Sequence, residues 1–120
     1  GSLLTDLSDC LRSLCNKSGE DPEILDDVSF DMNICRHFLF GYFSRFNQNF
    51  ESITISLSDS IYLIIFELAI RFITDFLKSN VYFNVHYPSH NIYRAEVQFK
   101  LLNSFLSQRK EFRSLLYEML

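Results

Sequence analysis

Glu67, Arg71 and Asp75 stand four residues apart inside IYLIIFELAIRFITDFLKSN, residues 61–80, the most apolar stretch of the chain. Arginine presents a planar set of donors that suits sugar or phosphate oxygens, and carboxylates can hold it in place. On a helix, steps of four bring side chains onto neighbouring positions of one stripe. That stripe would run among Leu63, Ile64, Phe66, Leu68, Ile70, Phe72, Ile73 and Phe76. Charges in such company are costly unless they are paired or face a polar cavity. Two readings are open: an acid–base–acid ladder that fixes helix register, or a polar wall for a hydroxylated ligand, with Tyr82 and Asn91-Ile92-Tyr93-Arg94 downstream.

A second stretch with chemical character is Thr5 to Arg12, where Asp6, Asp9 and Arg12 make a structural polar network with Glu67 the expected reading. His86 and His90 have the spacing of a zinc pair on a helix, but Pro88 between them denies a shared helical face, and no third ligand is near. No metal site is expected. His37, among apolar neighbours, reads as a hydrogen-bonded core imidazole. Cys10, Cys15 and Cys35 form an odd set without a CxxC pair, which points to reduced, partly buried thiols. No P-loop, GxSxG or Ser-His-Asp order is present, so no catalytic residue is assigned.

The elements that position these residues are helical. A hydrophobic content of 48% with 13 Phe and 6 Tyr indicates a packed globule, and 120 residues allow one domain, spanning 1–120. Only 3 Gly and 2 Pro leave little material for Gly-rich loops or a many-turned β fold. A net charge of -4, with scattered Lys and Arg, speaks against nucleic acid as the main partner. Gly1-Ser2 reads as a cloning remnant. Leu7, Leu11, Leu14 and Cys15 define one face of a first helix ending near Asn16, followed by a loop over residues 17–22. A second helix starts at Asp31 as N-cap and runs to about Phe46, with Ile34, Cys35, Phe38, Leu39, Tyr42 and Phe43 at helical spacing. Gly41 inside it is a weak helix former or marks a close helix contact.

Asn47-Gln48-Asn49 breaks the pattern. Ile53, Ile55 and Leu57 alternate as in a strand, but Phe50, Ile53, Leu57, Ile61, Ile64 and Leu68 keep helical spacing, so one helix over about Glu51–Leu77 is predicted. Charges through the middle of 61–77 argue for a core helix rather than a membrane span. Residues 81–87 read as a short extended segment ended by Pro88. A helix capped by Ser89 or His90 comes next, over about 91–107, with Ile92, Ala95, Phe99, Leu102 and Leu106 inward. A last helix spans about 108–119. The fold class predicted is all-α, a bundle of four to five helices.

The segments DLSDCLRSLCNKSGED, HFLFGYF and FELAIRFITDFLKSNVYFNVHYPSHNIYRAEVQFKLLNSF together resemble the C-terminal part of the aminoglycoside-phosphotransferase-like kinases. The branch they are most similar to is the N-acetylhexosamine 1-kinase-like sugar kinases of bacteria. The resemblance implies a kinase-like parent fold with a nucleotide-binding N-lobe and a helical C-lobe, which moves the γ-phosphoryl group of ATP to a small hydroxylated acceptor with magnesium. It also implies that the catalytic Asp and the metal-binding Asp lie N-terminal to Leu3. Asp6-Leu7-Ser8-Asp9 is similar to the family's later Asp-Phe-Gly-Asp stretch, with Leu7 and Ser8 in place of Phe and Gly. Phosphoryl transfer requires metal, nucleotide and base together, so this chain is expected to carry no ATP or magnesium site of its own. The family's acceptor contacts fall on Arg71 and Tyr82, with Asp75 in the same helix, and Glu67 and Asp75 would hold the guanidinium. A sugar-like acceptor, a homo-oligomer or a missing upstream domain, no membrane, and a cytoplasmic location complete the expectation. The alternative is a stand-alone, non-catalytic helical module for protein interaction or self-association.

Overall fold

The helical periods of the sequence are realised as five α-helices in the computed structural model, which describes residues 3–45 and 50–119, with side chains in the third helix from Ser52 onward. They are α1 (Leu3–Leu14), α2 (Met32–Arg45), α3 (Phe50–Leu77), α4 (His90–Ser107) and α5 (Arg109–Glu118). Among the described residues there is no strand, only an isolated bridge between Asn16 and Phe30. The expectations that fall on Gly1-Ser2, on a helix end near Phe46 and on a break at Asn47-Gln48-Asn49 lie outside the described residues.

The 28-residue α3 is the axis of the molecule and runs about 42 Å at helical rise. Its inward row, Ile53, Leu57, Ile61, Ile65 and Ala69, is buried. It lies along α4 and α1 and touches α5. Val97, Leu101, Leu102 and Phe105 of α4, Leu7 and Leu11 of α1, and Phe112, Leu115 and Leu116 of α5 complete one core. Three rings stack edge-on through it, Phe30 to Phe105 at 4.9 Å and Phe105 to Phe112 at 5.3 Å. The helical reading of residues 53–57 therefore prevails over the strand reading: Ile53 and Leu57 continue the same inward row, while Ile55 points outward and is exposed.

Several local expectations are corrected. In α1 the buried face is Leu7, Ser8, Leu11 and Arg12, and Leu14 is exposed. In α4 the buried face is centred on Val97, Gln98, Leu101 and Phe105, whereas Ile92, Phe99 and Leu106 are only half-buried. The helix is rotated because its buried side must also receive polar loop contacts. His37 is not a core imidazole: it is exposed on α2, its Nδ1 2.8 Å from the Asn33 carbonyl. Gly41 marks no close contact, since a methyl group added there would meet nothing within 4 Å. Residues 81–87 are irregular rather than extended.

Other signals are realised as read. Asp31 caps α2, its Oδ1 accepting the Ile34 N–H at 3.0 Å. Cys15 and Cys35 are buried and Cys10 is exposed, all as free thiols. The Cys15 thiol hydrogen-bonded to Cys35, with burial adding to it, holds Cys35 protonated far above the ordinary thiol range. Burial, with Cys15 and Asp9 adding to it, pushes Cys10 upward too.

Candidate functional site

The end of α3 builds the most structured polar place on the surface. After Leu77 the chain closes in a Schellman motif: Asn80 N–H donates to the Asp75 carbonyl at 2.8 Å, and Ser79 N–H to Phe76 at 3.1 Å. Ser79 and Asn80 both take left-handed backbone, with φ of 65° and 59°. Glycine is the usual residue for the first of these positions, so the sequence carried no obvious signal for the motif.

Asp75 then organises the irregular segment beyond the turn. It is buried, and its carboxylate accepts the N–H of Tyr82 at 2.7 Å, the N–H of Phe83 at 3.0 Å and the Asn91 amide at 2.9 Å. Burial alone would raise its pKa; the amide donors of Phe83, Tyr82, Asn91 and Val81 outweigh it and hold the carboxyl below the ordinary range. The bracket sets the Tyr82 and Phe83 rings beneath Arg71, whose guanidinium carbon lies 5.5 Å and 5.8 Å from their centroids. Arg71, Thr74, Asp75, Lys78, Tyr82 and Phe83 line a groove of about 330 Å³.

The acid–base–acid ladder is not formed. Glu67 and Arg71 are exposed, and neither has an ion-pair partner among the described residues. Steps of four drift by about 40° each at 100° per residue. Glu67 is therefore left on the outer rim while Asp75 turns under the helix. The structure brings Arg71, Tyr82 and Asp75 to one place, but aromatic faces hold the guanidinium and Asp75 holds the loop.

The predicted network on α1 is real in part. Arg12 is buried and bonds Asp9 at 2.9 Å and Glu20 at 3.0 Å, while Asp6 is exposed and Glu67 takes no part. Ser8 stands within 2.6 Å of the Ser60 hydroxyl, tying α1 to α3. Sequence reading missed what Arg12 belongs to. Glu20 also accepts from Gln98 at 3.2 Å, and its neighbour Asp21 meets His90 Nε2 at 2.6 Å. His90 Nδ1 accepts the His86 N–H at 3.2 Å, so the proton sits on Nε2 and points to Asp21. Tyr93 donates to the Pro22 carbonyl, and Lys100 meets Asp26 at 3.2 Å. Phe30 N–H donates to Ser104 at 2.9 Å, and its carbonyl accepts from Gln108 at 2.8 Å. The histidine pair is thus loop wiring: its two rings lie 5.3 Å apart, and His90 is consumed by backbone and carboxylate. Apart from the local Arg12 and His86 contacts, these partners lie 52 to 78 residues apart, beyond any spacing rule.

Compared with models of known protein families, the chain matches none.

Proposed function

We propose that the chain is the helical, acceptor-binding portion of a small-molecule phosphotransferase acting on a sugar or amino sugar, without catalysis of its own. The observation that carries this reading is the groove at the end of α3. There a guanidinium held over two aromatic rings, a threonine hydroxyl and the ammonium of Lys78 converge on one opening. A pyranose ring offers hydroxyls to Arg71 and Thr74 and an apolar face to Tyr82, which is 73% exposed and so free to stack. The resemblance of the surrounding block to hexosamine kinases supports the same residues. Asp75 acts as a positioning residue, since its carboxylate is filled by backbone and amide donors rather than free for ligand. Phosphoryl transfer also needs ATP, magnesium and a catalytic base, which this reading assigns to other parts of a parent enzyme.

The test is an amide and arginine-side-chain NMR titration of the chain with N-acetylhexosamines, hexoses and polyols. Saturable shifts confined to Tyr82, Phe83 and the Arg71 Nε are expected, lost in Arg71→Ala. Absence of saturable shifts with every sugar, or ATP turnover by the chain alone, would overturn the reading. The exposed apolar positions of α3, notably Leu63, Ile70 and Leu77, favour a second reading, a non-catalytic module for self-association.

A further inference from the structure

The groove at the end of α3 is held from behind by a side chain that does not line it. Arg94 stands half-buried in the second turn of α4. Its Nη1 donates to the Asn84 carbonyl at 2.9 Å and to Asn91 Oδ1 at 3.0 Å. Asn91 is fully buried and turns its amide hydrogens to Asp75 Oδ2 at 2.9 Å and Asn80 Oδ1 at 3.0 Å. With a donor on its oxygen and acceptors on its nitrogen, that amide has one orientation. Asp75 in turn accepts the N–H groups of Tyr82 and Phe83. Three successive residues of an irregular segment are thus fixed, 82 and 83 by their N–H groups and 84 by its carbonyl. A second route runs through rings. The Arg94 guanidinium carbon lies 5.8 Å from the Phe72 centroid, Phe72 meets Phe83 at 4.8 Å, and Phe83 meets Tyr82 edge-on at 4.8 Å. Among the described residues Arg94 makes no ion pair. Every contact named here goes to a residue that borders the groove or supports one that does.

We propose that Arg94 is a positioning residue for the groove: it holds the Tyr82–Phe83 platform, and with it the Arg71 guanidinium, in the pose that receives a pyranose ring. Tyr82 is 73% exposed, so its ring owes that pose to its own backbone, to Phe83 and to Arg71. A platform released from Arg94 would have to be ordered by the ligand, and ordering side chains on binding costs affinity. One nitrogen, Nη1, makes both hydrogen bonds. A lysine ammonium, with three hydrogens, can therefore replace it in kind, whereas a methionine of similar length cannot. The inference deepens the phosphotransferase reading and rests on it for the ligand, but the pose of the platform is measurable with no ligand present.

The test compares Arg94→Met and Arg94→Lys with the wild-type chain by NMR, first alone and then titrated with N-acetylglucosamine. In the free Met variant the ring-shifted Arg71 Nε–Hε resonance moves toward that of free arginine, while the amides of Ile65 and Leu101 in the core stay where they are. Its affinity for the sugar falls about tenfold. The Lys variant lies between the two, nearer wild type in both readouts. An unmoved Arg71 resonance in the Met variant, or a moved one with unchanged affinity, overturns the inference. So does a Met variant whose core amides shift as well, because Arg94 would then be a general prop of the fold. A Lys variant no better than Met overturns the shared nitrogen as the carrier of the effect. A wild-type chain that shows no saturable shift overturns the phosphotransferase reading and the ligand half of the inference. The Arg71 resonance of the free Met variant still decides whether Arg94 holds the platform.

Discussion

Arg71 and Asp75 are one turn apart on the same helix and live in opposite environments. Asp75 belongs to the side facing α4, where His90, Asn91 and Gln98 are buried and the loops at 15–31 and 78–89 are tied down by named hydrogen bonds. Arg71 belongs to the outward side, where apolar side chains meet solvent and Glu67 and Arg71 lack ionic partners among the described residues. The inner side buries polar groups at the edge of its apolar core, and these anchor two loops whose backbone is only partly satisfied by a short 3-10 turn at Leu25–Asp27 and the Asn16–Phe30 bridge. The outer side is apolar where a surface is usually polar. The inner half thus completes itself, whereas the outer half is shaped for something else.

The most severe trial of this contrast places one substitution on each side. Ile65 is fully buried and Ile70 is 40% exposed. Ile65→Ala should cost about 3 kcal/mol through lost burial and a residual cavity. Ile70→Ala, measured on dilute chain by urea denaturation, should cost less than about 0.5 kcal/mol. Equal losses in dilute solution would mean that the outer face is already packed against something within the chain, and the two-sided picture would fail.

Asp75→Asn comes next. The amide group it introduces would confront the donor of Phe83 or Asn91, so the loop bracket loses acceptors it cannot replace. Tm should fall by on the order of 5–10 °C. The pH dependence has a definite sign. In the folded chain the carboxyl is held below its ordinary 3.8 by the Phe83, Tyr82 and Asn91 donors, against the opposing effect of burial. Its contribution is present in full above 3.8 and is lost as pH falls through the lower folded value. Wild-type Tm should therefore drop more steeply below 3.8 than that of Asp75→Asn. Parallel curves in acid would show that Asp75 is not the anchor.

What could be read from sequence divides along the same line. The length and inward row of α3 were legible because Ile53, Leu57, Ile61 and Ile65 repeat at helical spacing, and the Asp31 cap because one residue carries it. Arg71, Tyr82 and Asp75 were legible as neighbours, but not in their roles. The drift of about 40° per four residues turns a presumed ladder into one inner and two outer groups. The lattice of Glu20, Asp21, His90 and Gln98 was illegible because its members meet only through tertiary folding. The turn at Ser79 was hidden because serine stands where glycine would have announced left-handed backbone.

The smallest effect contrasts the two glycines that the structure describes. Gly41 lies on the exposed face of α2 with helical backbone, and an added methyl group meets nothing within 4 Å. Gly41→Ala therefore only removes freedom from the unfolded chain and improves helix propensity, a gain of about 0.5–1 kcal/mol. Gly19 sits in the loop tied to α4, with φ at +77°, its N–H donating to the Asn16 carbonyl at 3.1 Å and its carbonyl accepting from the Asn16 amide at 2.9 Å. Space is open there as well, so contacts cannot distinguish the two sites; backbone conformation does. Gly19→Ala forces a side chain into left-handed backbone and should cost about 1 kcal/mol. Opposite signs in paired urea melts are the expected result. Should Gly41→Ala destabilise instead, the outer face of α2 would have to be covered in solution, and the open side of the molecule would be smaller than α3 and α2 together imply.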